Sequence, residues 1–160
     1  DFLITTGGVS AGDFDVVKVL FQRIGGVDLY RLRIKPGKPQ AFGQVWGIPY
    51  FGLPGNPASA VVVFDFLVRP ALRKLAGAAQ MDMLGFRATA VQSFPKKTRD
   101  WEFPRAIASE ISGHWVVKPT PTQKSSDLMS MVRGTGYVVL PPGSPAPEHG
   151  SDVLYIPFPG

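Results

Sequence analysis

The chain has 160 residues and no cysteine, with 44% hydrophobic and 18% charged residues. This length suffices for one large domain or two small ones with a buried core. Without cysteine there is neither a disulfide framework nor a thiolate metal site, which fits a reducing compartment, so we expect a cytoplasmic protein. No apolar run approaches the roughly 20 residues of a membrane-spanning helix, so we expect no membrane partner.

The net charge of +5 is concentrated in the first half of the chain. Up to Gly77 there are nine Lys/Arg against five Asp/Glu, and beyond it eight against seven. The basic residues do not alternate with aromatic residues along one stripe, and no nucleic-acid-binding motif is present. We therefore expect a small anionic ligand and no nucleic acid.

A strand is predicted at residues 2–6, followed by a glycine-rich turn at 7–15 and a helix over 14–24. This order is typical of ligand sites at the carboxyl end of a parallel sheet. Asp13 and Asp15 both stand at the start of the helix, and one of them can be a helix cap and nothing more. Because the strand is apolar on both faces and has no lead-in, we expect the chain to be the C-terminal part of something longer.

The next elements follow from turn residues and apolar spacing. In chain order, we predict a strand at 29–34, a loop at 35–39, a hairpin at 40–53 turning near Trp46-Gly47, a second loop at 52–57, and a long helix at 58–76. Asn56 or Ser59 can cap this helix, and Pro57 suits its first turn. Pro70 should interrupt the hydrogen-bond ladder and kink it.

The two loops, with sequences KPGKP and GLPGNP, have the composition of an anion site. Proline fixes φ and removes an amide donor, whereas glycine permits positive φ and close backbone approach. Lys35 and Lys38 add two ammonium groups, and the second loop leads into a helix N-terminus, which attracts anions. The alternative is that both loops are tight turns that merely join strands.

Beyond Gly77 the pattern changes to short strands separated by turn residues, which predicts a small all-β barrel or sandwich. The strands are predicted at 86–93, 101–109, 114–118, 136–140 and 152–156. One helical interruption is expected at 126–132, with Ser126 as its cap, and 141–150 is a proline-rich loop.

These motifs together resemble the molybdopterin molybdenumtransferase family, the bacterial MoeA type related to the gephyrin E domain. The matching segments are TTGGVSAGDFD (5–15), RIKPGKPQAFG (33–43) and GLPGNPASA (52–60), with a looser match through QKSSDLMSM and GYVVLP. The resemblance implies an α/β fold class: the latter half of a three-layer molybdopterin-binding α/β domain at 1–76, a linker at 77–84, and a small all-β barrel-like C-terminal domain at 85–160.

The resemblance also implies the insertion of molybdate into adenylylated molybdopterin with Mg²⁺, releasing AMP, in a homodimeric parent protein. We expect the 160-residue chain alone to fold without catalysing this reaction. The implied catalytic residues are Asp15, Lys35 and Lys38, with Asp15 also a metal ligand. The implied substrate-binding residues are Gly7, Gly8, Ser10, Gly12, Asp13, Arg31, Pro36, Gly37, Gly52, Pro54, Gly55, Asn56, Pro57 and Ser59.

One position departs from the family pattern. The family often has a lysine four residues before the KPGKP motif, where this chain has Arg31. Arginine keeps the charge, but it is a planar fork where lysine is a compact point charge. Arg31 stays among the implied substrate-binding residues, but the geometry of its contact with an oxyanion does not follow from the family's lysine.

Two further readings stay open at this point. In the barrel, a set of polar residues can line the far wall of a cleft or serve as surface charge and turn residues: Arg99, Arg105, Gln123, Ser125 and Ser126. The chain can also be a molybdopterin adenylyltransferase or competence-type protein, which shares a TTGG…GD loop, or a non-catalytic scaffold domain. The β domain and the paired KPGKP and PGNP loops argue against the adenylyltransferase.

Overall fold

The computed structural model describes residues 1–9 and 25–159, which form two compact units, 1–79 and 80–160. The predicted helix at 14–24 lies outside the described residues. The strands of the first unit are β1 (Leu3–Thr6), β2 (Val27–Arg31), β3 (Ile34–Lys35), β4 (Pro39–Val45) and β5 (Ile48–Leu53). Its helical segments are α1 (Pro57–Val63), a π-helical turn (Phe64–Val68) and α2 (Arg69–Leu75).

Four strands of the first unit form one sheet in the order β1-β5-β4-β2. β1 runs parallel to β5, and β4 is antiparallel to both β5 and β2. The β4–β5 hairpin turns at Trp46 and Gly47, as predicted, and both residues have positive φ (53° and 78°). Two consecutive positive φ angles are typical of the tight turns that match the twist of hairpin strands.

The sheet buries side chains on both faces. One face packs Leu53 and Phe51 against Val63 and Val68 of the helical segments. The other face carries a second cluster, which contains Val9, Ala41, Val45 and Tyr50. β1 is less buried than its sequence predicts, with Leu3 38% exposed, because among the described strands it pairs only with β5.

The long helix is interrupted as Pro70 predicts, although the irregularity lies before the proline. The Arg69 amide donates to the Phe64 carbonyl, five residues earlier, and this closes the π-helical turn. Pro70 then occupies the first turn of α2, where its missing amide is tolerated. Asn56 is the N-cap residue by position, with Pro57 following it, but its side chain makes no capping hydrogen bond.

The second unit contains β6 (Phe86–Ala90), β7 (Trp101–Glu102), β8 (Arg105–Ile111), β9 (His114–Pro119), α3 (Met129–Arg133), β10 (Gly136–Val139) and β11 (Asp152–Pro157). Five strands close into a barrel in the order β10-β11-β6-β9-β8, which confirms the predicted fold class. Its core includes Ala90, Phe94, Val117 and Val138. α3 begins later than predicted, and Ser126 is not its cap: the Asp127 carboxylate accepts from the Met129 amide at 2.9 Å instead.

A buried tyrosine predicts that the barrel loses stability at alkaline pH. Tyr155 is 2% exposed, and its hydroxyl is 2.7 Å from that of Thr135. Burial raises the pKa of Tyr155 above 10.0, against a smaller lowering by the Thr135 hydrogen bond. The neutral phenol is therefore favoured in the folded state. Its contribution to the free energy of unfolding is fully present below the pKa that Tyr155 has in the unfolded state.

We expect this contribution to be lost as the pH rises through about 10 toward the folded pKa, because the unfolded state releases the proton first. Urea unfolding between pH 8 and 11 measures it. Tyr155→Phe should show a shallower alkaline decline than the unsubstituted chain, whereas the exposed Tyr30→Phe should decline in parallel with it. Equal slopes for all three proteins would contradict the prediction.

Candidate functional site

The described parts of the three predicted loops meet at one edge of the first unit's sheet. β1 and β5 are parallel and in register from Leu3–Tyr50 to Thr6–Leu53, so both end at this edge. β4 begins there and β2 ends there, with Arg31 opposite Pro39. The strand order therefore brings together the glycines after β1, the 32–38 loop and the 54–56 loop.

The first and last of these loops are in backbone contact. The Gly7 amide donates to the Leu53 carbonyl at 2.9 Å. A Cβ on Gly55 would lie 3.2 Å from the Gly7 Cα, closer than nearly all ordinary Cβ contacts. Gly7 and Gly8 have φ of 85° and 78°, which L side chains rarely adopt. Glycine at these positions thus lets the two loops approach each other.

The KPGKP loop is held by its own backbone and by one buried glutamine. The Leu32 amide donates to the Lys38 carbonyl at 2.8 Å. Gln40 is 4% exposed, and its side-chain amide donates to the Gly37 carbonyl. Sequence reasoning missed Gln40, although a polar residue inside an apolar strand was an available signal.

Gly37 packs this loop against the first turns of α1. It is buried with φ of 108°, and a Cβ there would lie 2.5 Å from a Val63 methyl group and 3.5 Å from the Ser59 carbonyl oxygen. Lys35 and Lys38 are both half-buried, and Arg31 is exposed. With Arg33, which is also exposed, four of the chain's cationic side chains thus belong to the segment that borders this edge.

The PGNP loop contains an acceptor without a partner. Among the described residues, the Asn56 Oδ1 atom is buried and makes no hydrogen bond. Its backbone carbonyl accepts from the Ala60 amide at 2.9 Å, which begins the helix. Pro54 and Gly52 are buried, whereas Gly55 and Pro57 are exposed, and the Ser59 side chain is buried at the first turn. A buried acceptor of this kind suits a ligand that carries an N–H or O–H group.

Beneath the edge, Gly52 leaves room for a pair of hydroxyl groups. The Thr5 and Tyr50 hydroxyl oxygens are 2.6 Å apart, and Tyr50 is fully buried. A Cβ on Gly52 would lie 2.7 Å from the Tyr50 hydroxyl oxygen. Glycine at position 52 therefore leaves space for this pair of hydroxyl groups beneath the loop that follows.

The acidic residues predicted for this edge cannot be placed. Ser10, Gly12, Asp13 and Asp15 lie outside the described residues, so the choice between cap and ligand for the two aspartates stays open. Within the described residues there is no group of three or more His, Asp or Glu side chains that could hold a metal ion. In the same part of the chain, no helix has both the length and the apolar character needed to cross a membrane.

The barrel residues separate into two groups. Arg99 and Ser126 are exposed, whereas Arg105 is 1% exposed and Gln123 is bonded to the Arg105 backbone at 2.8 and 2.9 Å. The Arg105 guanidinium donates to the Ser130 hydroxyl at 3.2 Å. Burial lowers the pKa of Arg105, with opposing contributions from Tyr137 and Asp127. Arg105 is thus neither surface charge nor a turn residue.

Each of the two units matches a known protein family. Residues 1–74 match the family model of a probable molybdopterin binding domain, and residues 87–158 match that of the MoeA C-terminal region (domain IV). The molybdopterin molybdenumtransferases of Haemophilus influenzae and Bacillus subtilis are 34% and 30% identical to this chain, over 99% and 98% of its length. Dictyostelium discoideum gephyrin is 34% identical over 98% of the chain.

The fold comparison agrees with the sequence comparison. A crystal structure of a molybdopterin biosynthesis MoeA protein from Pyrococcus horikoshii superposes with a TM-score of 0.74 at 26% identity, over 99% of this chain and 37% of that one. The chain spans 40%, 36% and 25% of the lengths of the Haemophilus, Bacillus and Dictyostelium relatives. The two family models together span most of the chain, and the chain belongs to the MoeA and gephyrin family.

Proposed function

We propose that the chain acts in molybdenum cofactor biosynthesis, as part of a transferase that inserts molybdate into adenylylated molybdopterin and releases AMP. The observation that carries the proposal is the meeting of the 7–9, 32–38 and 54–56 loops at one sheet edge. Rigid, glycine-lined loops beside lysines are suited to oxyanions, and both molybdate and the pterin phosphate are oxyanions.

Each group at the edge has a proposed role. Lys35 and Lys38 neutralise the oxyanion, and the Gly8 amide of the β1 loop donates to its oxygens, since the Gly7 amide already donates to the Leu53 carbonyl. Asn56 Oδ1, which has no partner among the described residues, accepts from an N–H of the pterin ring. Pro36, Pro54 and Pro57 limit the motion of the loops, which keeps the donors in place before the ligand binds.

The proposed ligand for magnesium is Asp15, with Asp13 as the competing candidate. The described residues of this unit include three carboxylates, Asp1, Asp28 and Asp65, and none of them belongs to the loops of the edge. Asp65 is paired with Arg69, with 3.0 Å between the carboxylate and guanidinium atoms. The described residues by themselves do not form a magnesium site, and we assign no step of the reaction to the metal.

The remaining parts of the proposal concern the assembly and the alternatives. We propose that the parent protein is a cytoplasmic homodimer. This proposal, like that of the adenylylated substrate, is inferred from the family. The adenylyltransferase alternative is disfavoured because the second unit matches the MoeA C-terminal region. The same sequence match to gephyrin keeps a scaffold role as the competing outcome of the experiment below.

Direct molybdate binding to this chain tests the proposal. We expect Lys35→Ala to weaken molybdate binding by about 10- to 100-fold, which corresponds to one charge-assisted hydrogen bond of roughly 1.5–3 kcal/mol. Isothermal titration calorimetry with sodium molybdate measures the affinity. The free energy of unfolding should change by less than about 1 kcal/mol, because a half-buried surface lysine contributes little to stability.

Lys74→Ala is the matched control, since Lys74 is an exposed lysine of the same unit in the last turn of α2. Equal weakening by Lys35→Ala and Lys74→Ala would show nonspecific attraction and contradict the site. In the parent protein, magnesium-dependent AMP release from adenylylated molybdopterin then tests the reaction. Molybdate binding without AMP release would favour the scaffold.

A further inference from the structure

The barrel unit carries two adjoining grooves that the proposed function does not use. The first has a volume of about 400 Å³ and is lined by residues 96–99 and by Gly143, Ser144 and Ala146. The second has a volume of about 540 Å³ and extends along the 139–147 and 151–154 segments. Ser144 and Ala146 line both, so the two grooves adjoin each other.

The first groove is cationic. Lys96, Lys97 and Arg99 contribute three positive side chains, and its described lining includes no carboxylate. The Lys96 ammonium group donates to the Pro141 carbonyl and, at 3.0 Å, to the Ser144 hydroxyl, so it joins the two walls. Lys97 and Arg99 are exposed. A groove with this charge is suited to phosphate groups.

A buried carboxylate supports the backbone of this groove. Glu102 is 5% exposed, and its Oε1 accepts from the Lys97 amide at 2.8 Å and from the Thr98 hydroxyl at 2.9 Å. These bonds hold the backbone of the cationic loop from beneath. The loop is therefore ordered before a ligand arrives, which reduces the entropy lost on binding.

The second groove is mostly apolar and has an aromatic wall. Trp101 is 41% exposed, and Val139, Leu140 and three prolines contribute further apolar side chains. A planar ring can stack on an indole, and such stacking tolerates any base. Arg87 and Asp152 also line this groove, and both are exposed. The Asp152 carboxylate can accept from an exocyclic amine.

From this arrangement we infer that the two adjoining grooves together bind a nucleoside polyphosphate, with the base on Trp101 and the phosphates on Lys97 and Arg99. The two volumes fall in the range of small-molecule sites. The site lies within residues 87–154 and is independent of the loop edge in the first unit. It requires no step of the proposed reaction.

The test titrates ATP into the full 160-residue chain carrying Lys35→Ala and Lys38→Ala, which removes the two lysines of the loop edge. We expect saturable binding of one ATP per chain by calorimetry. On this background, Lys97→Ala should weaken ATP binding about tenfold through the lost charge-assisted contact. Trp101→Ala should weaken it by a similar factor, and Trp101→Phe should retain most of the affinity because it keeps a ring.

Lys118→Ala is the control, because Lys118 is an exposed lysine of β9 that lines neither groove. It should leave ATP binding unchanged, and pyrophosphate and adenosine should each bind more weakly than ATP. Pyrophosphate binding as tightly as ATP would reduce the site to a cationic surface and overturn the inference. Loss of all ATP binding in the Lys35→Ala, Lys38→Ala background would assign the nucleotide to the loop edge and also overturn it.

Discussion

Arg105→Ala is expected to lower the free energy of unfolding of the barrel unit by about 3 kcal/mol, within the range for truncation of large buried side chains. Arg105 is among the largest fully buried side chains, at 1% exposure. Its guanidinium bonds to the Ser130 hydroxyl at 3.2 Å and the Lys124 carbonyl at 3.4 Å. Alanine removes both bonds and leaves a cavity between β8 and the 123–130 segment.

Urea unfolding, followed by tryptophan fluorescence, measures this loss. Arg133→Ala is the matched control because Arg133 is an exposed arginine in the last turn of α3, and its effect should stay within about 0.5 kcal/mol. Arg105→Lys keeps the charge without the planar fork and should recover less than half of the loss. Similar values for Arg105→Ala and Arg133→Ala would mean that the buried network contributes nothing net to stability.

The burial of Arg105 also shows where sequence-based prediction ends. Its bonding partners lie 18 to 25 positions away, at Gln123, Lys124 and Ser130. Local spacing carries no information about such contacts, and arginine is most often exposed, so the sequence left surface charge as one reading. The barrel strands were predictable because alternation and turn residues are local signals.

The same distinction explains the helix boundaries. Pro70 predicted an interruption because the missing amide is a local property, but the π-helical turn at Phe64–Val68 depends on how the freed carbonyls find partners. Ser126 was predicted as a cap from residue preference, whereas Leu128 occupies the N-cap position and Asp127, which precedes it, accepts from the Met129 amide. Leucine is not a preferred cap residue, so preference alone could not locate the start of this helix.

For the candidate site, the sequence predicted the loops and their composition but not what supports them. The parallel pairing of β1 with β5, which places the ends of these strands side by side, is a long-range contact. The buried contacts of Gln40 with Gly37, and of Gly37 with Val63, required coordinates. They indicate that the position of the lysines depends on a buried glycine.

Gly37→Ala is expected to weaken molybdate binding at least as much as Lys35→Ala, although it removes no charge. A Cβ at this position would lie 2.5 Å from a methyl group of the fully buried Val63, and the φ of 108° is strained for any L side chain. The backbone cost is about 1–3 kcal/mol and the overpacking cost is similar. The loop should relieve both by moving, which displaces Lys35 and Lys38 from the sheet edge.

Gly47→Ala is a control that introduces backbone strain without overpacking. Gly47 has a φ of 78° in the hairpin turn, and nothing lies within 4 Å of its Cβ position. It should lower the free energy of unfolding by about 1–2 kcal/mol through backbone strain alone and leave molybdate affinity unchanged. Gly37→Ala should lose more stability than Gly47→Ala and, unlike it, lose affinity in the same calorimetric titration. If the two variants bind molybdate equally well, the packing of Gly37 against α1 does not position the lysines, and the anion site cannot depend on the geometry of this loop.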